Sequence, residues 1–394
     1  MKTISRQLKI PDQSTFFLFG PRQTGKSTLL SAAFKPDSSI TYNLLHGDTY
    51  SRLAARPELL RHEIESAVAT GGPFRIIIDE IQRIPSLLDE VHALIEIHKS
   101  LRFALCGSST RKLKRMHANM LGGRARTLHL YPFTSIELAD DFDLDRVLQF
   151  GALPGVYFAG DDTDRSEILR SYVDTYLREE IEIEAQVRNL GAFMRFLPMA
   201  ASENGAQVNI LNVARETSIT KESARGYYRI LEDTLVGFFL MPFARSIRKK
   251  IARHPKFYFF DCGVVRALTK KLTVPNIEES EEYGRIFEHF LICEITRLND
   301  YLRLDLDISF FRTQTGTEVD CILIHPDGTV WAIEIKSTRS PALAHCRGLR
   351  SFSECFPDAV CMLACRVPRP LRLGPFEAVP WQEVVHRVTS LAKG

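Results

Sequence analysis

Gly20-Pro21-Arg22-Gln23-Thr24-Gly25-Lys26-Ser27 reads G-x-x-x-x-G-K-[ST], with the apolar run Phe16-Phe17-Leu18-Phe19 before it and the helix-compatible Thr28-Leu29-Leu30 after it. Strand, glycine-rich turn and helix in that order let backbone N–H groups curl around phosphates at a helix N-terminus. Lys26 then reaches the β- and γ-phosphates of a nucleotide, and Ser27 holds Mg²⁺. The segment from Gly20 to Thr28 is the expected contact surface for ATP.

Outward from this loop, short β-rich runs at 16–19, 40–44, 74–78, 103–106 and 127–130 alternate with helical patterns such as 57–70 and 87–99. That alternation predicts a parallel sheet with helices on both faces. Pro132-Phe133 and the acidic stretch 140–143 mark its end, which gives a first domain over 1–140. An ATPase needs an acid at the end of a neighbouring strand to position Mg²⁺ and a second to orient the attacking water. Arg75-Ile76-Ile77-Ile78-Asp79-Glu80 supplies both, Asp79 for the metal and Glu80 for the water; the competing reading is a solvated strand terminus. The run ending in Cys106 continues into Gly107-Ser108-Ser109-Thr110, where Ser108 or Ser109 is a candidate nucleotide sensor or else a helix cap. Gly122-Gly123-Arg124-Ala125-Arg126 presents arginines on a glycine-rich turn. Arg124 or Arg126 is a candidate to stabilise transition-state charge at a neighbouring subunit's nucleotide, which would require a homo-oligomer. A contact in cis or a solvated loop are the alternatives.

From about 161 to 235 the strand signal gives way to helical periodicity. Segments 209–218 and 220–231 are separated by a short turn, and Ala224, Tyr228, Leu231 and Leu235 fall on one face of the second. Strand-like runs 238–240 and 257–260 flank a loop, so the block 141–265 reads as a helical region ending in a winged helix. Arg245, Arg248, Lys249, Lys250, Arg253 and Lys256 follow one another there without an acid. Such a run on a wing fits phosphate contact with DNA, and a solvated loop or a domain contact is the bland reading.

The block 266–394 returns to an α/β pattern, with a helix at 283–298 and strands at 308–312, 319–324, 330–335 and 360–363. Asp320 lies on one strand, and Glu334 and Lys336 lie on the next in an E-x-K pattern. Strand alternation puts Glu334 and Lys336 on one face, where both can meet Asp320. Asp320 and Glu334 can then ligate Mg²⁺ while Lys336 orients water, the arrangement of PD-(D/E)-x-K nucleases. Glu288 on the preceding helix resembles the additional acid of such domains. Exposed sheet faces also carry acids and lysines, so retained cleavage does not follow from the fold.

Taken together, G-P-R-Q-T-G-K-S, I-I-I-D-E-I-Q, C-G-S-S-T, G-G-R-A-R and the following Leu130-Tyr131-Pro132-Phe133 resemble the prokaryotic AAA-type ATPases that carry a C-terminal region of domain-of-unknown-function family 4143. The likeness runs over nearly the whole chain. It implies an AAA+-like P-loop domain, a winged-helix middle region and a restriction-endonuclease-like C-terminal domain.

Composition agrees with such a protein: 45% hydrophobic and 25% charged residues over 394 positions, enough for two to three domains. No apolar stretch reaches the roughly 20 residues that cross a bilayer, and no apolar signal core follows Met1, so a cytoplasmic location is expected. A net charge of +3 is too small to argue for nucleic acid by itself. Cys361 and Cys365, with His345, Cys346 and Cys355 upstream, read as reduced thiols, with a zinc site as the minor alternative. The expected function is ATP binding and hydrolysis coupled to DNA, with divalent-metal-dependent cleavage at the second site. The rival is a signalling or scaffold NTPase whose nuclease-like domain only binds.

Overall fold

The structure is a computed structural model that describes residues 4–72, 74–109, 121–177, 189–244 and 254–393. Strands β1 (Thr15–Phe19), β2 (Ser39–Asn43), β3 (Arg75–Asp79), β4 (Arg102–Gly107) and β5 (Ala125–His129) form one sheet in the order β2-β3-β4-β1-β5, with every pairing parallel. All five residues of β1 and of β3 are buried, because helices cover both faces of the sheet. This explains why those strands read as unbroken apolar runs. One face packs the helices Glu58–Ala69 and Leu87–Ile97 through Leu60, Ile64, Val91 and Leu94, and the other packs Leu30 and Phe34. In this order β4 lies between the strand that leads into the phosphate loop and the strand that ends in Asp79.

The middle region is helical, as its periodicity predicts. Helices Ile210–Thr217 and Lys221–Asp233 are joined by a tight turn, with Asn209 and Thr220 as N-caps accepting from Asn212 N and Ser223 N. Tyr227 and Tyr228 pack edge-on against Phe193 and Phe196 of the helix Leu190–Ser202. Strands β6 (Gly237–Pro242) and β7 (Lys256–Phe259) then form an antiparallel hairpin.

That hairpin does not stand apart from the C-terminal region. Met241 and Pro242 of β6 pair with Ser309 and Phe310 of β8 (Asp307–Arg312), so the hairpin extends a single eight-stranded sheet. The sheet continues through β9 (Glu318–Ile324), β10 (Val330–Ile335), β11 (Val360–Cys365), β13 (Phe376–Pro380) and the short β12 (Leu371–Leu373). The division expected between 265 and 266 therefore falls inside the helix Cys262–Leu268, after strands that already belong to the C-terminal sheet. Strands β12 and β13, and the helices Arg347–Cys355 and Trp381–Ser390, are not among the elements expected from the sequence.

A 22-residue helix, Glu281–Leu302, covers this sheet and reaches the N-terminal one. Its first half packs Ile286, Phe287 and Phe290 into the C-terminal core, and Tyr301 near its end joins the core beneath β1 and β5. Arg6 ties the contact together: it donates to Thr24 O of the phosphate loop at 3.0 Å, to Tyr131 O and to Tyr301 Oη, and pairs with Glu137. Glu294 accepts from the Ser135 amide and hydroxyl, and Arg297 donates to Phe133 O and Phe260 O. Among the described residues no helix is long and apolar enough to cross a membrane.

Candidate functional site

The phosphate loop takes the conformation its residues require. Gly25, the N-cap of the helix Lys26–Ala33, sits at φ 93°, a left-handed conformation open to glycine at little cost, and Gln23 is also left-handed. Alternating handedness of this kind turns successive N–H groups inward into an anion-binding concavity. No side chain caps the helix, so its first-turn amides remain available to a phosphate. Lys26 is buried and donates from Nζ to Gly20 O and Pro21 O at 2.7 and 3.0 Å, which holds the ammonium inside the loop. Thr24 Oγ1 donates to Pro21 O and stiffens the turn from within.

Ser27 Oγ donates to Asp79 Oδ2 at 2.9 Å, so the two expected Mg²⁺ residues meet although 52 positions separate them. Glu80 follows in a left-handed conformation, φ 59°, which turns its carboxylate out of the strand direction. Sequence reasoning missed the residue that fixes it. Gln82 is buried and donates from Nε2 to Glu80 Oε2 at 2.6 Å and to Ser108 Oγ at 3.0 Å, so one amide ties the candidate base to the candidate sensor. Its place two residues after Glu80, in I-I-I-D-E-I-Q, was the available signal. Uncapped amides, an ammonium and a hydroxyl–carboxylate pair form a donor set that fits a triphosphate with a hard divalent cation.

Lys26→Ala should weaken ATP binding by roughly 1.5–3 kcal/mol, about 10- to 150-fold in Kd, the scale of a hydrogen bond to a charged group. Equilibrium binding of a fluorescent ATP analogue measures it, and wild-type affinity would remove Lys26 from the site.

Arg124 lies on the surface of its own chain, 2.5 Å from Glu96, and Arg126 is exposed on β5. The pairing leaves action across a subunit boundary to be tested by mixing. Protein carrying both Arg124→Ala and Arg126→Ala, combined with Lys26→Ala protein under subunit exchange, should recover hydrolysis. No recovery would remove action in trans.

The second site draws on four strands and one helix. Strands β9 and β10 are antiparallel with Cys321 opposite Ile333, so Asp320 and Glu334 face each other at the next step. Lys336 Nζ lies 2.6 Å from Glu334 and 3.4 Å from Asp320, while Asp320 Oδ2 also accepts from the Ile335 amide. These three expected residues do come together. Glu288 lies at the same end of the sheet but is engaged differently. Its Oε1 accepts from Tyr258 Oη at 2.6 Å and from Lys256 Nζ at 2.9 Å. Lys256 also reaches Glu318 Oε1 at 2.5 Å, and Arg312 holds the other oxygen of Glu318 at 2.9 Å.

Lys256 is therefore a correction. The basic run predicts it as a phosphate-facing wing residue, whereas it is 4% exposed and points into the second site. The reason is strand alternation: Lys256 and Tyr258 share one face of β7, and that face meets Glu288. The rest of the run, Arg245 to Arg253, lies outside the described residues. Lys256, Tyr258 and Glu318 were not recognised as site residues from sequence; a lysine in the otherwise aromatic K-F-Y-F strand was the signal.

Burial dominates the electrostatics here. Burial first, and Asp320 opposite second, raise the Glu334 carboxyl to about 8 against the opposing pull of Lys336. Burial works against the charge on Lys336, but Asp320 and Glu334 outweigh it and hold the ammonium above its ordinary range. Glu334 Oε2 is buried and has no hydrogen-bond partner. It lies against Gly348, where a Cβ would come within 1.9 Å of Glu318 O and 3.0 Å of Glu334 Oε2, so only glycine fits there. An unpaired, buried carboxylate oxygen beside a second carboxylate fits a divalent cation. Among the described residues no group of three or more His, Cys, Asp or Glu is placed to hold a metal, so the expected set of Glu288, Asp320 and Glu334 is not assembled. The same holds for the cysteines near 346–365, of which Cys346 and Cys365 are buried thiols.

Comparison with known proteins follows the same three regions. Residues 12–139 match the model of an AAA domain. The N-terminal unit is an AAA-type ATPase domain. Residues 283–384 match domain of unknown function DUF4143, and residues 141–274 match domain of unknown function DUF8612. An uncharacterized protein of Mycobacterium tuberculosis is 28% identical over 337 residues, covering 85% of this chain and 72% of its own. An uncharacterized protein of Methanocaldococcus jannaschii is 20% identical over 321 residues, covering 75% and 70%. Among solved structures, the replication initiator DnaA bound to AMPPCP and single-stranded DNA aligns with TM-score 0.28 at 12% identity, over 56% of this chain and 82% of that one. A signal transduction ATPase with numerous domains from Pyrococcus horikoshii, which carries a tetratricopeptide repeat sensor, aligns with TM-score 0.26 at 11% identity, over 74% and 46%.

Proposed function

We propose that this AAA-type ATPase acts on DNA, with ATP turnover at the phosphate loop coupled to a divalent-metal-dependent phosphodiester site in the C-terminal region. ATP brings the triphosphate and Mg²⁺ brings Lewis acidity; the chain's residues bind and orient them. Lys26 and the loop amides hold phosphate oxygens, Ser27 and Asp79 hold the cation, and Glu80, aimed by Gln82, orients water. At the second site Asp320 and Glu334 would hold a cation, and Lys336 would align water beside a scissile phosphate. The observation that carries the reading is the meeting of Asp320, Glu334 and Lys336 on adjacent strands with one carboxylate oxygen left unpaired.

DNA contact is supported by the helix Lys221–Asp233, whose Lys221, Arg225 and Arg229 recur every four residues on its exposed side. Following a short turn from the preceding helix and preceding a hairpin, this arrangement reads as a winged helix. Assays of ATP hydrolysis and DNA cleavage on single-stranded, duplex and branched DNA, with Mg²⁺ or Mn²⁺, test it. A scaffold NTPase with a binding-only second domain is the other reading, favoured by the engagement of Glu288 with Lys256 and Tyr258 rather than with Asp320 and Glu334.

A further inference from the structure

We propose that Arg6 is a positioning residue for the ATP site, and that through it the helix Glu281–Leu302 of the C-terminal region sets how tightly the phosphate loop holds nucleotide. The inference rests on reading that loop as the ATP site. It adds a residue that acts on the loop from behind and a distant element that controls affinity.

The segment before β1 joins two cores. Ile4 packs against the C-terminal core and Leu8 is buried in the core beneath β1 and β5, with Arg6 between them. The Arg6 side chain is 6% exposed, and every nitrogen of its guanidinium is engaged. Nε donates to Glu137 Oε1 at 3.0 Å, Nη1 to Thr24 O at 3.0 Å, and Nη2 to Tyr131 O and to Tyr301 Oη at 3.2 Å. The Phe133 ring lies 4.7 Å from the central carbon. A guanidinium is a rigid planar fork, so partners on Nε and Nη2 fix where Nη1 points.

Thr24 O belongs to the same peptide unit as the Gly25 amide. In a planar trans peptide the C=O and N–H point in opposite directions. With the carbonyl held by Arg6, the Gly25 N–H faces away from Arg6, at the helix N-terminus where a phosphate is cradled. A charged donor on the carbonyl also polarises that amide and strengthens it as a donor. Tyr301 completes the device: its hydroxyl accepts from Arg6 and, at 2.9 Å, from the Tyr131 amide. Undocking the helix end removes one wall of the Arg6 site and frees the Thr24–Gly25 peptide to rotate, so nucleotide binding then carries the cost of ordering it. The same helix carries Glu288 to the second site, a rigid element through which a change there can act.

Binding of a fluorescent ATP analogue to the full chain, alongside steady-state hydrolysis, tests the proposal. Arg6→Gln should bind on the order of 10-fold more weakly and Tyr301→Phe about 3-fold more weakly, within the range over which contact chains modulate coupling. KM should rise with Kd while kcat holds, because ground state and transition state lose the same contact. The double variant should be no weaker than Arg6→Gln alone, since both changes act on one contact. Arg303 supplies the control: it ties the same helix end to Thr127 O of β5 without reaching the loop, so Arg303→Gln should bind as wild type. Wild-type affinity in folded Arg6→Gln or Tyr301→Phe, full additivity in the double variant, or equal weakening by Arg303→Gln would each overturn the proposal. Circular dichroism establishes folding; if Arg6→Gln does not fold, the comparison of Tyr301→Phe with Arg303→Gln decides. Wild type that binds no analogue would sink the ATP-site reading and this proposal with it, whereas unchanged affinity in the variants sinks this proposal alone, so the two failures are distinguishable.

Discussion

Glu80→Gln protein should hold ATP as tightly as wild type and hydrolyse it on the order of 10²–10⁴-fold more slowly, the usual contribution of a positioned acid–base group. The expectation comes from the division of labour around the loop. On the proposed reading, phosphate contacts would fall to Lys26 and the backbone amides, and the cation contact to Ser27 and Asp79, which meet at 2.9 Å. Glu80 has neither task; its left-handed backbone turns the carboxylate away from β3, and Gln82 holds it at 2.6 Å. The glutamine amide keeps the size of the carboxylate but cannot accept a proton, so binding survives and water activation does not. Single-turnover hydrolysis alongside equilibrium nucleotide binding separates the two quantities. Wild-type turnover in Glu80→Gln would remove Glu80 from the role.

The second large effect is expected at Asp320. Asp320→Asn should lose metal-dependent DNA cleavage by on the order of 10³-fold or more, since a cation's stabilisation of transition-state charge is worth several kcal/mol. A phosphodiester repels an attacking hydroxide, so the carboxylate pair must first concentrate a cation. Lys336→Ala should lose cleavage as well while retaining some metal binding, because its ammonium touches both carboxylates but is not itself a ligand. ATP hydrolysis should persist in both variants, since the phosphate loop is built on the other sheet. Cleavage by both variants at the wild-type rate would dismiss the assignment.

Much of the architecture was legible because it depends on local rules. Strands β1 and β3 are buried on both faces, so they read as continuous apolar runs, and Gly25 and Lys26 announce the turn and helix between them. The E-x-K pairing was legible for the same reason, since a period of two fixes which side chains share a face. What stayed hidden depends on contacts between distant segments. Lys256 looks like one more wing cation until β6 is seen to pair with β8, which brings β7 over Glu288. Helices Arg347–Cys355 and Trp381–Ser390 were missed although their signal was present, since Leu349 and Phe352, and Trp381, Val384, Val385 and Val388, recur at helical spacing.

The union of the two sites through the helix Glu281–Leu302 was equally invisible. Glu288 and Tyr301 lie 13 positions apart on it, roughly 20 Å at 1.5 Å per residue. Arg6 connects Tyr301 to Thr24 in the phosphate loop, yet nothing in the sequence of the first ten residues marks that arginine.

The central claim, that ATP turnover and DNA handling belong to one working molecule, is tested most directly by measuring steady-state ATP hydrolysis of the full chain with and without single-stranded, duplex and branched DNA, while following the integrity of that DNA with Mg²⁺ or Mn²⁺. Faster ATP hydrolysis with at least one DNA form, together with metal-dependent cleavage that Asp320→Asn abolishes, is the result expected. ATP hydrolysis indifferent to every DNA form, with no cleavage under either metal, would contradict it.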